Sequence, residues 1–176
     1  MLRLGLGLLV MPGVVFHELG HFIFCRLVGA RVHKVVFFQF GHPAGYVLHS
    51  APSRFVEHLA IVAGPFLVNS AVAFALFRCS SSAWTYLARD NLANTGILAV
   101  SLVALWWGIS ISVQAFPSKG DARSLWQMAN SHLKRGSLLA VTGYPLVVAI
   151  YAVDILRSVR VDLGYAMLLL MLAAFS

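Results

Sequence analysis

The sequence predicts an all-α polytopic membrane protein of about five transmembrane helices, with a small β-hairpin between the first and second. Three observations carry that expectation. Hydrophobic residues make up 60% of the 176 residues and charged ones 11%, whereas about a quarter of an ordinary soluble domain is charged. Apolar runs near the length of about twenty residues that a bilayer core requires recur at 2–28, 55–77, 92–115, 137–156 and 161–175. Between the first two, residues 31–50 change character: Val32, Val35, Val36, Phe37, Phe38 and Phe40 are β-formers, Gly41 to Gly45 is turn-like, and Tyr46 to His49 resumes. That alternation of β-formers and turn residues reads as a hairpin.

Taken in order, the first run carries Arg3 before an apolar core, as a secretory leader does, but no small-x-small cleavage site follows, so it is read as a retained helix. Pro12 with Gly13 predicts a kink that frees carbonyls and opens space beside the residues after it. The hairpin cannot present open edges to lipid, so it is expected at the interface, along a cavity or paired with another strand. A polar helix is expected over 122–133. The fifth run is short, which fits a tilted, interfacial or partner-completed segment. Residues 1–135 form the expected core unit and 136–176 add the C-terminal helices.

Alternate loops share a compartment, so basic residues give an orientation. Arg26, Arg31, Lys34, Arg54, Lys119, Arg123, Lys134 and Arg135 fall on one side; Arg3, Arg78, Arg89, Arg157 and Arg160 fall on the other. The positive-inside rule puts the first group in the cytoplasm and the N-terminus outside, as in a multi-pass protein of the cell membrane. By the same alternation Asp154 and Asp162 lie at the outer ends of the last helices. The net charge of +7 is spread singly at the ends of apolar runs, with only Lys134 and Arg135 adjacent, which excludes a nucleic-acid surface. Cys25 and Cys79 sit in different runs and are expected to be packing residues rather than a disulfide.

Within the first run stands His17-Glu18-Leu19-Gly20-His21. Seven His and two Glu among 176 residues place chance occurrence of H-E-x-x-H at about three in a thousand such chains. On a helix the two histidines are one turn apart on one face, and Glu18 lies beside them. Three ionisable groups in an apolar helix are costly unless they face a cavity, protein or a metal. Catalytic zinc takes three protein ligands and keeps one position open. Asp121 is the one Asp that the expected topology brings to the same side as the histidines, and it also suits the first turn of the polar helix, as an N-terminal acid. Glu57 is the next candidate for the third ligand. The remaining histidines, His33, His42, His49, His58 and His132, are expected as interfacial polar residues.

In order and helix placement these elements resemble the site-2 protease group of intramembrane metalloproteases. The resemblance covers about the first 135 residues. It rests on His17-Glu18-Leu19-Gly20-His21 in one helix, Ala63-Gly64-Pro65-Phe66-Leu67-Val68-Asn69 in the next, and Phe116-Pro117-Ser118-Lys119-Gly120-Asp121-Ala122 after the third. The chain departs from the family pattern in having Gln114 for an Asn, Gly120-Asp121-Ala122 for Leu-Asp-Gly, and Asn69 one position later than expected. The resemblance implies zinc held by His17, His21 and Asp121, Glu18 as general base, and Asn69, Gln114 and Pro117 as contacts to substrate. The implied reaction is hydrolysis of a peptide bond in or near a transmembrane segment of a membrane protein. Two other classes share parts of the pattern: a membrane binding or chaperone-like protein on the same scaffold, and an iron oxygenase using His17 and His21 as one His box, for which no further box is present.

Overall fold

The computed structural model describes residues 2–90, 95–156 and 159–175. It is a helical bundle with one two-stranded sheet: α1 (Leu2–Leu27), β1 (Val32–Val36), β2 (Tyr46–His49), α2 (Phe55–Asp90), α3 (Thr95–Val113), α4 (Lys119–Lys134), a 3-10 turn (Leu138–Thr142), α5 (Gly143–Leu156) and α6 (Val161–Phe175). Four segments, 7–27, 55–88, 95–113 and 138–156, are long and apolar enough to cross a membrane. The fifth apolar helix, α6, has 15 residues, so among the described residues four segments meet that length. The start expected for the third run, Leu92, lies outside the described residues, as do Arg157 and the side chains of Arg3, Arg89 and Asp90.

Close helix approach is built on small residues. A Cβ added at Gly20 would stand 2.7 Å from the Pro65 backbone, and one at Gly64 would stand 2.9 Å from the Gly20 carbonyl. The α1–α2 crossing therefore needs glycine on both helices. Next to Pro12, a Cβ on Gly13 would collide with the Ser110 carbonyl. The Gly13 N–H donates to Ser110 Oγ at 3.0 Å, and the Leu9 carbonyl accepts the Trp106 indole N–H at 3.0 Å. α3 thus supplies polar partners where proline interrupts the α1 ladder.

α2 runs past the expected end at Phe77 to Asp90, 36 residues in all. Its polar stretch after Phe77 is absorbed by neighbours: Arg78 donates to the Ala173 carbonyl at 2.8 Å, and Ser80 bonds Ser101 of α3 at 3.1 Å. Satisfied polar groups let the helix continue where composition had marked a boundary. Cys25 is buried as expected, but Cys79 is exposed and packs against no core.

The last two helices correct the expected alternation. At the start of α2, Phe55 packs on Gly143 of α5. Further along, Ser70 bonds the Tyr165 hydroxyl at 2.6 Å and Arg78 reaches Ala173. α5 therefore lies beside the first part of α2 and α6 beside the second, both in the direction of α2. They run the same way along α2 rather than antiparallel to each other. Of the two, only α6, with 15 residues, about 22 Å at 1.5 Å per residue, is short of a core of about 30 Å; the 3-10 turn and α5 together make a segment of 19 residues. Asp154 accordingly sits not at a far end but 3.0 Å from Lys119, at the start of α4.

The hairpin is shorter than its β-formers. β1 and β2 pair antiparallel with Val36 opposite Tyr46 and Val35 opposite Val47, with an irregularity between Val32 and Lys34. Phe37, Phe38 and Phe40 leave the ladder. Phe37 stacks edge-on against Phe22 of α1 at 6.2 Å, and Phe40 lies against Gly7. The loop therefore lies against α1 through the side chains of Phe37 and Phe40. Ring contacts with α1 take the place of strand pairing there, with Phe37 and Phe40 still exposed. Gln39 closes the loop, donating from its backbone to the Ala44 carbonyl and from its side chain to the Pro43 carbonyl, each at 2.7 Å. A loop beside a membrane-length helix must satisfy its own polar groups in this way.

Candidate metal centre

His17, Glu18 and His21 are each 8% exposed, inside the bundle. The two imidazoles meet edge to face with centroids 5.0 Å apart, as residues one helical turn apart should. Each is oriented by a backbone carbonyl from another helix or its end. His17 Nδ1 donates to the Gln114 carbonyl at 2.8 Å, and His21 Nδ1 donates to the Ile61 carbonyl at 3.0 Å. A carbonyl only accepts, so Nδ1 carries the proton on both rings and Nε2 is left as the ligating atom.

Both Nε2 atoms face Asp121. His21 Nε2 is 3.2 Å from Oδ1 and His17 Nε2 is 3.7 Å from Oδ2. One ligand atom from each of the three residues lies within 4.8 Å of the others. Two imidazole lone pairs and a carboxylate pointing at one another repel unless extra protons or a shared cation stands among them. Two nitrogens and one carboxylate oxygen are a donor set that zinc accepts, and the Gln114 and Ile61 carbonyls already hold the two imidazoles from behind, so these residues fit a divalent ion. Burial pushes the Asp121 carboxyl up, but where His17 and His21 carry the extra protons, their hydrogen bonding and charge outweigh it and hold the group well below the usual carboxylate range.

Asp121 also caps its own helix. Ser118 is the N-cap of α4, and its backbone N–H and hydroxyl both donate to Asp121 Oδ2 at 2.7 Å. The Asp121 N–H returns a bond to Ser118 Oγ at 3.2 Å. This reciprocal box positions the carboxylate. The ligand and capping readings of Asp121 are thus compatible in one conformation. Glu57 is spent elsewhere: its carboxylate holds Arg54 at 2.7 Å and closes the start of α2.

The residues expected to contact substrate are placed differently from one another. Asn69 is fully buried; its amide donates at 3.1 Å to the Ile111 and Gln114 carbonyls and reaches the Gly13 carbonyl at 3.5 Å, bridging α2 to α3 and α1. Gln114 lines the metal cavity, and its carbonyl serves both His17 and Asn69. Pro117 lines a separate apolar groove.

A cavity of about 500 Å³ opens over His17, His21 and Asp121. Its lining includes His42, Gly45, Tyr46, Val47 and His49 of the hairpin and its loop, together with His58 of α2. Gly45 rests on Glu18, where an added Cβ would be 2.6 Å from Glu18 Cγ and 3.0 Å from the Phe37 carbonyl. Three of the five histidines read as interfacial therefore face the metal cavity. Sequence spacing carried no signal for them, because only the loop's packing against α1 brings His42 and His49 to the site. A comparison with known proteins finds no matching family model, no matching curated protein and no matching solved structure.

Proposed function

We infer that this chain is an intramembrane zinc metalloprotease, hydrolysing a peptide bond in or near a transmembrane segment of a membrane protein. One observation carries the reading: three acceptor atoms from α1 and α4 converge while both Nδ1 protons are committed to carbonyls, an arrangement that calls for a cation. The resemblance to the site-2 protease group adds to it through the same residues. The excess of basic residues near the 26–54 and 119–135 segments orients the site toward the cytoplasm.

A divalent ion held by His17, His21 and Asp121 supplies Lewis acidity toward a carbonyl oxygen and makes a water nucleophilic near neutral pH. Glu18, buried beside both histidines, accepts the proton of the attacking water and delivers it to the leaving amine. The hairpin loop over Glu18 shields that transfer from bulk solvent. A transmembrane helix hides its amides in its own ladder, so substrate must unwind before attack. β2 is paired only to β1 and three of its residues line the cavity, so its other edge suits an added substrate strand.

The test is zinc content by elemental analysis on purified wild type and variants. Wild type is expected to hold about one zinc per chain, Glu18→Gln to keep it without hydrolysing, and His17→Ala and Asp121→Ala to lose it. Wild type that neither contains nor takes up zinc would remove the protease reading. Zinc bound in wild type with no cleavage of any membrane substrate would instead favour a binding protein on this scaffold. Iron with oxygen consumption would favour the His-box oxygenase.

A further inference from the structure

A second cavity, of about 690 Å³, adjoins the metal cavity, and Val47, His49, His58 and Ser124 line both. His49 belongs to β2 and His58 to α2, so the two imidazoles stand where the hairpin meets the helices. Their ring centroids are 6.3 Å apart. His58 is 5% exposed, and its Nδ1 is buried with no hydrogen-bond partner.

The bonds around the pair fix what each ring presents. The Ser124 hydroxyl has one proton and donates it to the Asp121 carbonyl at 2.9 Å. It therefore accepts from His58 Nε2, 3.3 Å away, and Nδ1 of neutral His58 is left with a bare lone pair. His49 Nδ1 donates to the Ser50 carbonyl at 2.9 Å, which leaves Nε2 of that ring as a second lone pair. One nitrogen anchored and the other bare is also the state of His17 and His21, and it is the state in which imidazole binds metal.

We propose that His49 and His58 form a second site for a divalent cation such as zinc, weaker than the centre at His17, His21 and Asp121 and filled only when the ion is in excess. With zinc–nitrogen bonds of about 2.0–2.1 Å, each ring centroid stands about 3.2 Å from a shared ion, so tetrahedral ligation needs the rings about 5.2 Å apart. The observed 6.3 Å leaves a closing movement of about 1 Å, within what a side chain on a hairpin makes. Among the described residues no carboxylate lines the second cavity, and Asp121 in the first already faces the other two histidines. Water therefore completes the shell, and two neutral ligands hold the ion less tightly than three that include a carboxylate. An ion placed there joins β2 to α2 and fastens the hairpin that covers Glu18. The site stands apart from the proteolytic reading, since it uses none of the three ligands at the centre.

Equilibrium dialysis of the full chain in detergent against rising free zinc separates the two sites. Wild type is expected to keep one ion at low free zinc and to gain another as free zinc rises. His49→Phe and His58→Phe should each lose the added ion while keeping the first, and His17→Ala should lose the first while keeping the added one. His49 is only half-buried, so its variant tests the site without disturbing the core. A wild type that gains no second ion in large excess of zinc, or an added ion that survives in both variants, would overturn the site. So would loss of both ions in His58→Phe with His49→Phe like wild type, since that would make His58 a support for Asp121 through Ser124. Absence of the tight ion, with the added one still lost in both variants, would remove the proteolytic reading and leave this site standing.

Discussion

Two kinds of wall enclose the metal cavity, and they are held by different physics. Helices α1, α2 and the start of α4 are cross-braced by buried bonds to ligating or near-ligating groups: Gln114 and Ile61 carbonyls on the histidines, Ser118 on Asp121, and Asn69 across three helices. The hairpin loop is held by its own Gln39 bonds and by ring contacts along α1, with Phe40 62% exposed. The first wall sets the ligand geometry and the second covers Glu18. Metal retention should therefore depend on the helical wall and be nearly indifferent to the loop.

The largest expected effect is on the ligands themselves. Asp121→Ala or His21→Ala should remove zinc altogether, leaving two donors where three are needed. Falling pH should do the same reversibly. Protons compete with the metal for the imidazole nitrogens, whereas the Asp121 carboxyl is held well below the usual carboxylate range, so the carboxylate does not set the release. Zinc followed by equilibrium dialysis from pH 8 to 5 would check this; release only below about pH 4 would assign the transition to the carboxylate instead.

Next comes the crossing that carries the histidines. Gly20→Leu places a side chain where even a Cβ is 2.7 Å from Pro65. It should destabilise the bundle by about 1–3 kcal/mol or more and release zinc with it. Thermal unfolding with and without added zinc would show whether fold and metal are lost together.

Much of this helical wall was legible in the sequence. The one-turn spacing of His17 and His21 needs only a helix, and Asp121 followed from which acid shares their side. Its place in the first turn of a polar helix was legible, but that Ser118 rather than Asp121 is the N-cap, with the helix starting at Lys119 rather than near Ala122, was not. The carbonyls that fix the imidazole tautomers were not legible, because a backbone acceptor leaves no residue-type signal. The continuation of α2 past Arg78 was hidden because that charge is satisfied by a carbonyl from α6. Alternating topology separated Asp154 from Lys119, since it assumes that successive apolar runs are antiparallel, whereas α5 and α6 both run in the direction of α2 and bring the two residues to 3.0 Å. Hydropathy marked the β-formers of the hairpin but could not show that Phe37 to Phe40 pack on α1 rather than extend the strand.

Asn69 tests the bracing at one remove from the metal. Asn69→Leu removes the donor shared by the Ile111 and Gln114 carbonyls, leaving buried acceptors short of a partner at a cost of about 1–3 kcal/mol. Gln114 is also the acceptor that orients His17, so zinc affinity should fall by about tenfold to a hundredfold, the usual cost of losing an outer-shell partner. Competition with a zinc chelator would measure it. Lost stability with unchanged zinc affinity would show that Asn69 joins helices without tuning the ligand.

The smallest expected effect on metal is at the loop, and there the two walls separate most cleanly. Gly45→Ala adds a methyl 2.6 Å from Glu18 Cγ and about 3 Å from two carbonyls of the opposing loop segment. A backbone neighbour cannot yield as a side-chain end can, so either the loop lifts or Glu18 turns away. Neither movement touches His17, His21 or Asp121, so zinc content should match wild type. Proton transfer depends on the carboxylate's position to within fractions of an ångström, so hydrolysis should fall by about tenfold or more. Zinc lost together with activity would mean that the loop helps to hold the ligands, and the division of labour between the two walls would have to be given up.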